Sequence, residues 1–204
     1  PSIKLGEKIM SNVSGVKSKQ VVFGTDTDAI SAAATATTLV LLNSGPWVNA
    51  QTVTLTSTGN NAGITFVVVG KDANGAAATS AATTGPNAGT VSVGGTWTEV
   101  TSITASGSIT TDISAGITSG ATTGIIFAGR TRVRSMTGVA GGGAGVVFIK
   151  NGSATSGQNR LILDVDSGST IDPYISDDGL LCEDGAFFAY AGTAVVGLSI
   201  QFDG

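Results

Sequence analysis

The sequence predicts an all-β protein with two antiparallel β-sandwich or barrel-like domains preceded by an extended N-terminal arm. Short runs rich in Val, Ile and Thr alternate apolar and polar residues, as half-buried strands do. Glycine is frequent, at 30 of 204 residues, and turn signals such as Asn74-Gly75 separate the runs. A helical turn is plausible at the Ala-rich residues 28–35, but that stretch is short and continues into threonine.

The N-terminal part divides into an arm and a first domain. Residues 1–20 carry lysines and scattered apolar residues with no clear period, which indicates an extended basic arm. Residues 21–124 are predicted to form an immunoglobulin-like sandwich, because strand and turn signals follow one another closely. Its predicted strands lie at 38–42, 51–56, 64–70, 76–83, 89–93, 96–105 and 107–113.

Residues 125–204 are predicted to form a second, small all-β domain. Its predicted strands lie at 130–134, 146–151, 160–166, 172–175, 186–190 and 194–202, with a glycine-rich loop at 138–145. A β run rather than a helix follows this loop, so a connection between strands is favoured over a phosphate-binding loop. The last predicted strand reaches almost to residue 204, and we expect it to lie inside a sheet.

The composition excludes several classes of catalyst. Histidine is absent, which removes His-dependent nucleophile systems and His metal ligands. Cys182 is alone and is expected to be a buried thiol that packs as a small apolar residue. The acidic residues between 164 and 184 fit no EF-hand spacing, although a structural cation stays an open alternative. We therefore expect no enzymatic activity and no cofactor.

Charge is unevenly distributed along the chain. The net charge is −4, whereas the arm has a net charge of +3 from Lys4, Lys8, Lys17 and Lys19 against Glu7. An acidic protein lacks the basic face that nucleic acid requires. The arm is either a solvated tail or a segment that lies on an acidic partner. The sequence shows no signal-peptide pattern and no 18-residue apolar stretch, so we expect cytoplasmic synthesis and no membrane partner.

Three arginines form the clearest charged motif. Arg130, Arg132 and Arg134 alternate with Thr131 and Val133, which places the guanidinium groups on one face of a predicted strand. Arginine pairs well with carboxylates at protein interfaces. The alternative is pairing inside the chain, with the acidic residues 164 and 166 on a neighbouring strand.

Several segments resemble known proteins. Residues 52–66 (TVTLTSTGNNAGITF), 70–75 (GKDANG), 84–91 (TGPNAGTV) and 97–104 (WTEVTSIT) resemble a module that recurs in virion proteins of tailed bacteriophages. Residues 179–185 (GLLCEDG), leading into 195–202, resemble the closing segment of small phage structural proteins. The resemblance implies a position in a particle and carries over no site residue.

The sequence therefore leads to the hypothesis of a capsid decoration, or cement, protein made in the cytoplasm of a bacterial host and located in the virion. Its expected partners are the major capsid protein and copies of itself, arranged as a trimer or another ring. The predicted interface residues are Lys4, Lys8, Lys17, Lys19, Arg130, Arg132 and Arg134. One alternative is a tail or neck component, such as a tube, nozzle or fibre-base protein. Another is a host-glycan-binding module, for which Trp47 and Trp97 are the candidate exposed aromatic residues.

Overall fold

A computed structural model describes residues 15–192 and 195–204 of the chain. These residues form 17 strands, and no α-helix occurs among them. All the strand pairs whose register is defined are antiparallel. The prediction of an all-β, antiparallel fold is confirmed. The chain divides into two compact units: the first unit is Val22–Thr122, and the second combines Pro1–Val21 with Thr123–Gly204.

The first unit contains two sheets that share one apolar core. One sheet has the order β2-β9-β3-β7, and in the other β4 pairs with β5, β6 and β8. Its strands are β2 (Gly24–Ala34), β3 (Thr52–Asn60), β4 (Thr65–Asp72), β5 (Ala77–Thr79), β6 (Thr83–Thr84), β7 (Asn87–Ser92), β8 (Trp97–Ala105) and β9 (Ile113–Ser119). Leu55 from β3 and Phe66 from β4 are fully buried in the common core. The alternation of apolar and polar residues in β3 and β4 produces this arrangement, because one side of each strand faces inward.

The second unit is also built from two sheets. One has the order β1-β17-β11-β14 with β15 added to β11, and the other has the order β10-β16-β12-β13. Its strands are β1 (Val16–Val22), β10 (Thr123–Phe127), β11 (Thr131–Ala140), β12 (Gly145–Asn151), β13 (Gln158–Val165), β14 (Thr170–Ile171), β15 (Leu180–Cys182), β16 (Ala186–Gly192) and β17 (Val195–Asp203). Met136 and Phe202 of the first sheet and Ile149 and Phe188 of the second are fully buried.

The N-terminal arm differs from its prediction at residues 16–20, which belong to β1. This strand lies beside β17, and its second-last residue, Val21, is fully buried. The Lys-rich composition obscured the strand in the sequence, although lysine is common on edge strands such as β1. Residues 1–14, with Lys4 and Lys8, lie outside the described residues. The expectation that the last strand lies inside a sheet is confirmed, since β17 lies between β1 and β11.

Three other predicted elements are displaced. Residues 38–42 are not a strand. They belong to a segment, 37–51, that runs alongside β8 and is joined to it by isolated hydrogen bonds, for example from Leu39 N to Ile103 O at 3.1 Å. The strand predicted at 107–113 begins only at residue 113, and the one predicted at 172–175 is replaced by β14 just before it. The Ala-rich stretch lies mostly in β2, where burial of Ile30 outweighs the helical preference of alanine.

Candidate functional site

The arginine motif lies at the start of β11. Thr131 and Val133 are buried, while Arg132 and Arg134 are partly exposed on the opposite face. This alternation agrees with the sequence prediction. Arg130 precedes the strand and is exposed, and the structure gives it no hydrogen bond or ion pair with any described residue. The three arginines therefore have different environments, although they belong to one sequence motif.

Arg134 is tied to the last strand of the unit. The register between β11 and β17 shifts between Val133 and Ser135, so Arg134 is the extra residue of a bulge. Its Nε donates to Asp203 Oδ2 at 2.8 Å, and its Nη2 lies 2.5 Å from the same oxygen. The hydrogen bond with Asp203 raises the pKa of the Arg134 guanidinium above its ordinary value. Arg134 is therefore a structural ion-pair residue.

Both strand arginines also hold the loop that precedes β15. Arg134 Nη1 donates to Asp177 O at 2.8 Å, and Arg132 Nη1 donates to Asp178 O at 2.7 Å. Both bonds are accepted by main-chain carbonyls of the loop. The arginines thus fix a loop whose own sequence, rich in Asp and Gly, provides few apolar contacts.

The predicted internal partners of the arginines, Asp164 and Asp166, are not the residues that pair with them. Asp164 lies on β13, which belongs to the other sheet of the second unit. The actual partner, Asp203, is on β17, the strand directly beside β11. Sequence proximity suggested the wrong carboxylates because β11 pairs with a strand about 65 residues further along the chain.

A shallow depression lies beside this ion pair. It has a volume of about 340 Å³ and is lined by Arg130, Thr131, Arg132, Leu181, Asp203 and Gly204. Because Arg132 and Arg134 already bond to the protein, Arg130 is the member of the motif whose guanidinium is available to an external carboxylate.

The lysines of β1 contact β10, an edge strand of the other sheet in the second unit. Lys17 Nζ lies 5.7 Å from the centroid of the Phe127 ring, within the range of a cation–π interaction. Lys19 Nζ donates to Ile125 O at 3.1 Å. Of the four arm lysines in the predicted interface, the two that the structure describes therefore make contacts inside the second unit.

The two tryptophans are core residues. Trp47 is 0% exposed and Trp97 is 2% exposed, and both belong to the core of the first unit. Neither offers a ring face to a sugar, so the glycan-binding hypothesis loses both of its candidate residues. Trp47 follows Gly45-Pro46 in the segment before β3, and its ring packs into the core.

The remaining candidate motifs have structural roles. Cys182 is buried, as expected, and burial raises the pKa of its thiol. The glycine-rich stretch ends β11, forms a turn at 141–144 and begins β12, thereby joining the two sheets of the second unit. In the described part of the chain, no group of three or more His, Cys, Asp or Glu residues is arranged to hold a metal ion. Nor does it contain a helix that is long and apolar enough to cross a membrane.

Exposed apolar residues are the feature that the sequence analysis missed. Val40 and Leu42 are 71% and 68% exposed, although their run was predicted as an ordinary strand. Ile162 on β13 is 57% exposed. Their signal was present in the sequence as apolar runs without regular polar partners. Periodicity alone does not tell which side of such a run faces water.

Comparisons with known proteins give no family. No protein-family model matches the chain, and no curated protein matches it. Among solved structures, a chain of the cryo-EM structure of Broad Bean Stain Virus is 13% identical, over 80% of this chain and 88% of that chain, with a TM-score of 0.22. A superposition at this TM-score supports neither a shared fold nor a shared function.

Proposed function

We propose that the chain is a non-enzymatic structural protein of a virion and, more specifically, a decoration protein that binds the assembled head of a bacteriophage. The resemblance of residues 52–104 and 125–202 to phage virion modules suggests this class of protein. The observation that carries the proposal is an uncharged row of Val, Thr and Ser on the outer face of one sheet in the first unit.

This outer row crosses three neighbouring chain segments. Val67 on β4 is paired with Thr104 on β8, and Thr104 in turn forms a bridge with Thr38. At the next pair on the same face, Val69 lies opposite Ser102 and is 38% exposed. None of these side chains is charged, so the row can be buried against another protein without removing an ion from water.

Apolar and charged residues border the row on opposite sides. Val40 and Leu42, both strongly exposed, lie on the segment that covers the edge of β8. At the other end, Lys71 Nζ and Glu99 Oε2 form an ion pair at 2.7 Å. An uncharged patch with charged residues at one end resembles a protein–protein interface, where the core is depleted of charge and the rim is polar. The row therefore suits burial against another protein.

Binding of this surface to an assembled shell would stabilise the shell by mass action. The protein would bind the shell and not its unfolded subunits, so every bound copy would favour the assembled state. The proposed partners are the major capsid protein and further copies of this chain.

The test uses phage heads from which the protein has been removed. Adding back the purified chain is expected to restore binding and to raise the temperature at which the heads melt, measured by light scattering. Val69→Glu should weaken binding, because it places a charge in an otherwise uncharged row. Val139→Glu is the matched control, since Val139 is also exposed, at 57%, but lies in the second unit.

Two results would overturn this proposal. Heads whose melting does not change at saturation would exclude a stabilising role. Images of labelled virions that place the chain along the tail or at the neck would replace the head assignment with that of a tube, nozzle or fibre-base component.

A further inference from the structure

We infer that β13 is a docking edge for a second copy of this chain, and that two β13 strands pair antiparallel about a twofold axis at Ile162. In the described part of the chain, β13 pairs with β12 alone, so its other side is the edge of a four-stranded sheet. An edge strand exposes unpaired N–H and C=O groups that another strand can bind.

The exposed face of β13 is complementary to itself. Arg160, Ile162 and Asp164 are exposed, whereas Leu161 and Leu163 between them are half-buried. Antiparallel pairing centred on Ile162 places each Arg160 opposite Asp164 of the second copy. The two isoleucines then meet at the axis, and one ion pair lies on each side of them. Opposite charges and apolar groups in such cross-strand positions stabilise a sheet.

The other edges of the second unit are less suitable. Strand β1 carries Lys17 and Lys19, so its pairing with a second β1 would bring like charges together. Strand β10 is the opposite edge of the sheet that contains β13, but it has only five residues, and its Ile125 carbonyl accepts a hydrogen bond from Lys19. Strands β14 and β15 contain two and three residues. Strand β13 is longer, with eight residues.

The edges of the first unit are irregular or covered. Strand β2 shifts register twice against β9, and β7 shifts register against β3. The segment 37–51 covers the edge of β8. Strand β13 has one irregularity, at Arg160, and is regular from Leu161 to Val165.

The pairing of two β13 strands rests on one part of the proposed function, namely that copies of the chain associate with one another. The strand that mediates this association, its twofold symmetry and its register are new. An isologous pair of this kind joins the two four-stranded sheets into one continuous sheet and removes an exposed edge from each copy.

The test is a charge exchange in the full chain, followed by sedimentation velocity over a range of concentrations. The unaltered chain is expected to show a monomer–dimer equilibrium. Arg160→Asp and Asp164→Arg should each weaken the dimer about tenfold or more, because each replaces two attractive pairs with two repulsive ones. The double variant, Arg160→Asp with Asp164→Arg, should recover the dimer. Asp112→Arg makes the same charge change as Asp164→Arg at an exposed site in the first unit and should leave the dimer intact.

A cysteine variant tests the register. Ile162→Cys is expected to form a disulfide-linked dimer under mild oxidation, because the two side chains meet at the axis. Ser153→Cys, which is exposed in the loop before β13, should not cross-link at the same rate. The native Cys182 is buried and gives little background.

A chain that stays monomeric at all concentrations, a double variant that folds but does not recover the dimer, or equal cross-linking of the two cysteine variants would each overturn the inference. None of these results bears on binding to phage heads, which is measured separately. Conversely, a chain that forms the dimer but does not bind phage heads would contradict the proposed function and leave the inference about β13 intact.

Discussion

Arg134 binds the carboxylate of Asp203, although Arg132 is the residue that stands opposite Asp203 in the register of β11 and β17. The bulge at Arg134 accounts for this offset, because an extra residue redirects the side chain along the strand. Arg132 is thereby left to bind the carbonyl of Asp178. One irregular residue thus divides the arginine motif between a strand partner and a loop.

The first prediction concerns this ion pair. Asp203→Asn should lower the free energy of unfolding by about 0.5–1 kcal/mol, a modest value because both side chains are about one-third exposed to solvent. Arg134→Met should cost roughly 1–2 kcal/mol, since it also removes the bond to Asp177 O. Urea unfolding measures both. Arg130→Met is the control and should change the stability by less than about 0.5 kcal/mol; an equal loss there would contradict the assignment.

The second prediction concerns pH. The side-chain hydrogen bond with Asp26, together with its negative charge, raises the pKa of Asp28. A carboxyl group whose pKa is higher in the folded state than in the unfolded state stabilises the protein at low pH, and this contribution is lost as pH rises through the folded pKa. Asp28→Asn should therefore raise the melting temperature at neutral pH and have little effect near about pH 3.

Differential scanning calorimetry at several pH values checks this result. Asp112→Asn removes the same charge from an exposed site in the first unit and is the matched control. A melting-temperature difference for Asp28→Asn that stays constant from acidic to neutral pH would show that the two carboxylates do not interact.

The third prediction concerns Ala88, whose φ angle is +48°. Residues other than glycine rarely adopt this left-handed backbone conformation, which costs roughly 1–2 kcal/mol. Ala88→Gly should relieve the strain and, after the entropy of glycine in the unfolded chain is subtracted, stabilise the protein by about 0.5 kcal/mol. Ala62→Gly, in a turn with ordinary φ, should instead destabilise it. If both variants lose stability equally, the strain at Ala88 is absent.

The fourth prediction concerns Gly116 in the middle of β9. A methyl group at this position would overlap the carbonyl oxygen of Asp26 and the main chain of Thr27, where β2 is irregular. Gly116→Ala should cost at least about 2 kcal/mol, because backbone atoms cannot move aside as a flexible side chain can. Gly120→Ala has open space around it and should be nearly neutral. Chemical denaturation of the two variants gives the comparison.

The fold class and most strands were predictable because their signals are local. The alternation in β3 and β4 and the Asn74-Gly75 turn are readable from neighbouring residues, and Gly75 indeed has a φ of +79°. The segment at 38–42 was predicted as a strand because its apolar sequence is the same whether the segment forms a regular ladder or only isolated hydrogen bonds.

The site was less predictable because its contacts are long-range. Nothing near Arg134 in the sequence identifies Asp203 as its partner, since that contact depends on which strands become neighbours. The edge at β13 is also a property of the sheet order, not of the strand itself. The exposed alternation of Arg160, Ile162 and Asp164 was visible in the sequence, but its self-complementarity becomes meaningful only when the other side of the strand is known to be unpaired.

The pairing of β1 with β17 has a consequence for biosynthesis. The second unit takes its first strand from residues 16–22 and all its others from beyond residue 122, so the first unit is inserted into it. A ribosome releases the whole first unit before the strands that complete the second, and units commonly fold in the order of their release. Strand β1 must therefore wait, unpaired with β17, until residues 195–203 have been synthesised.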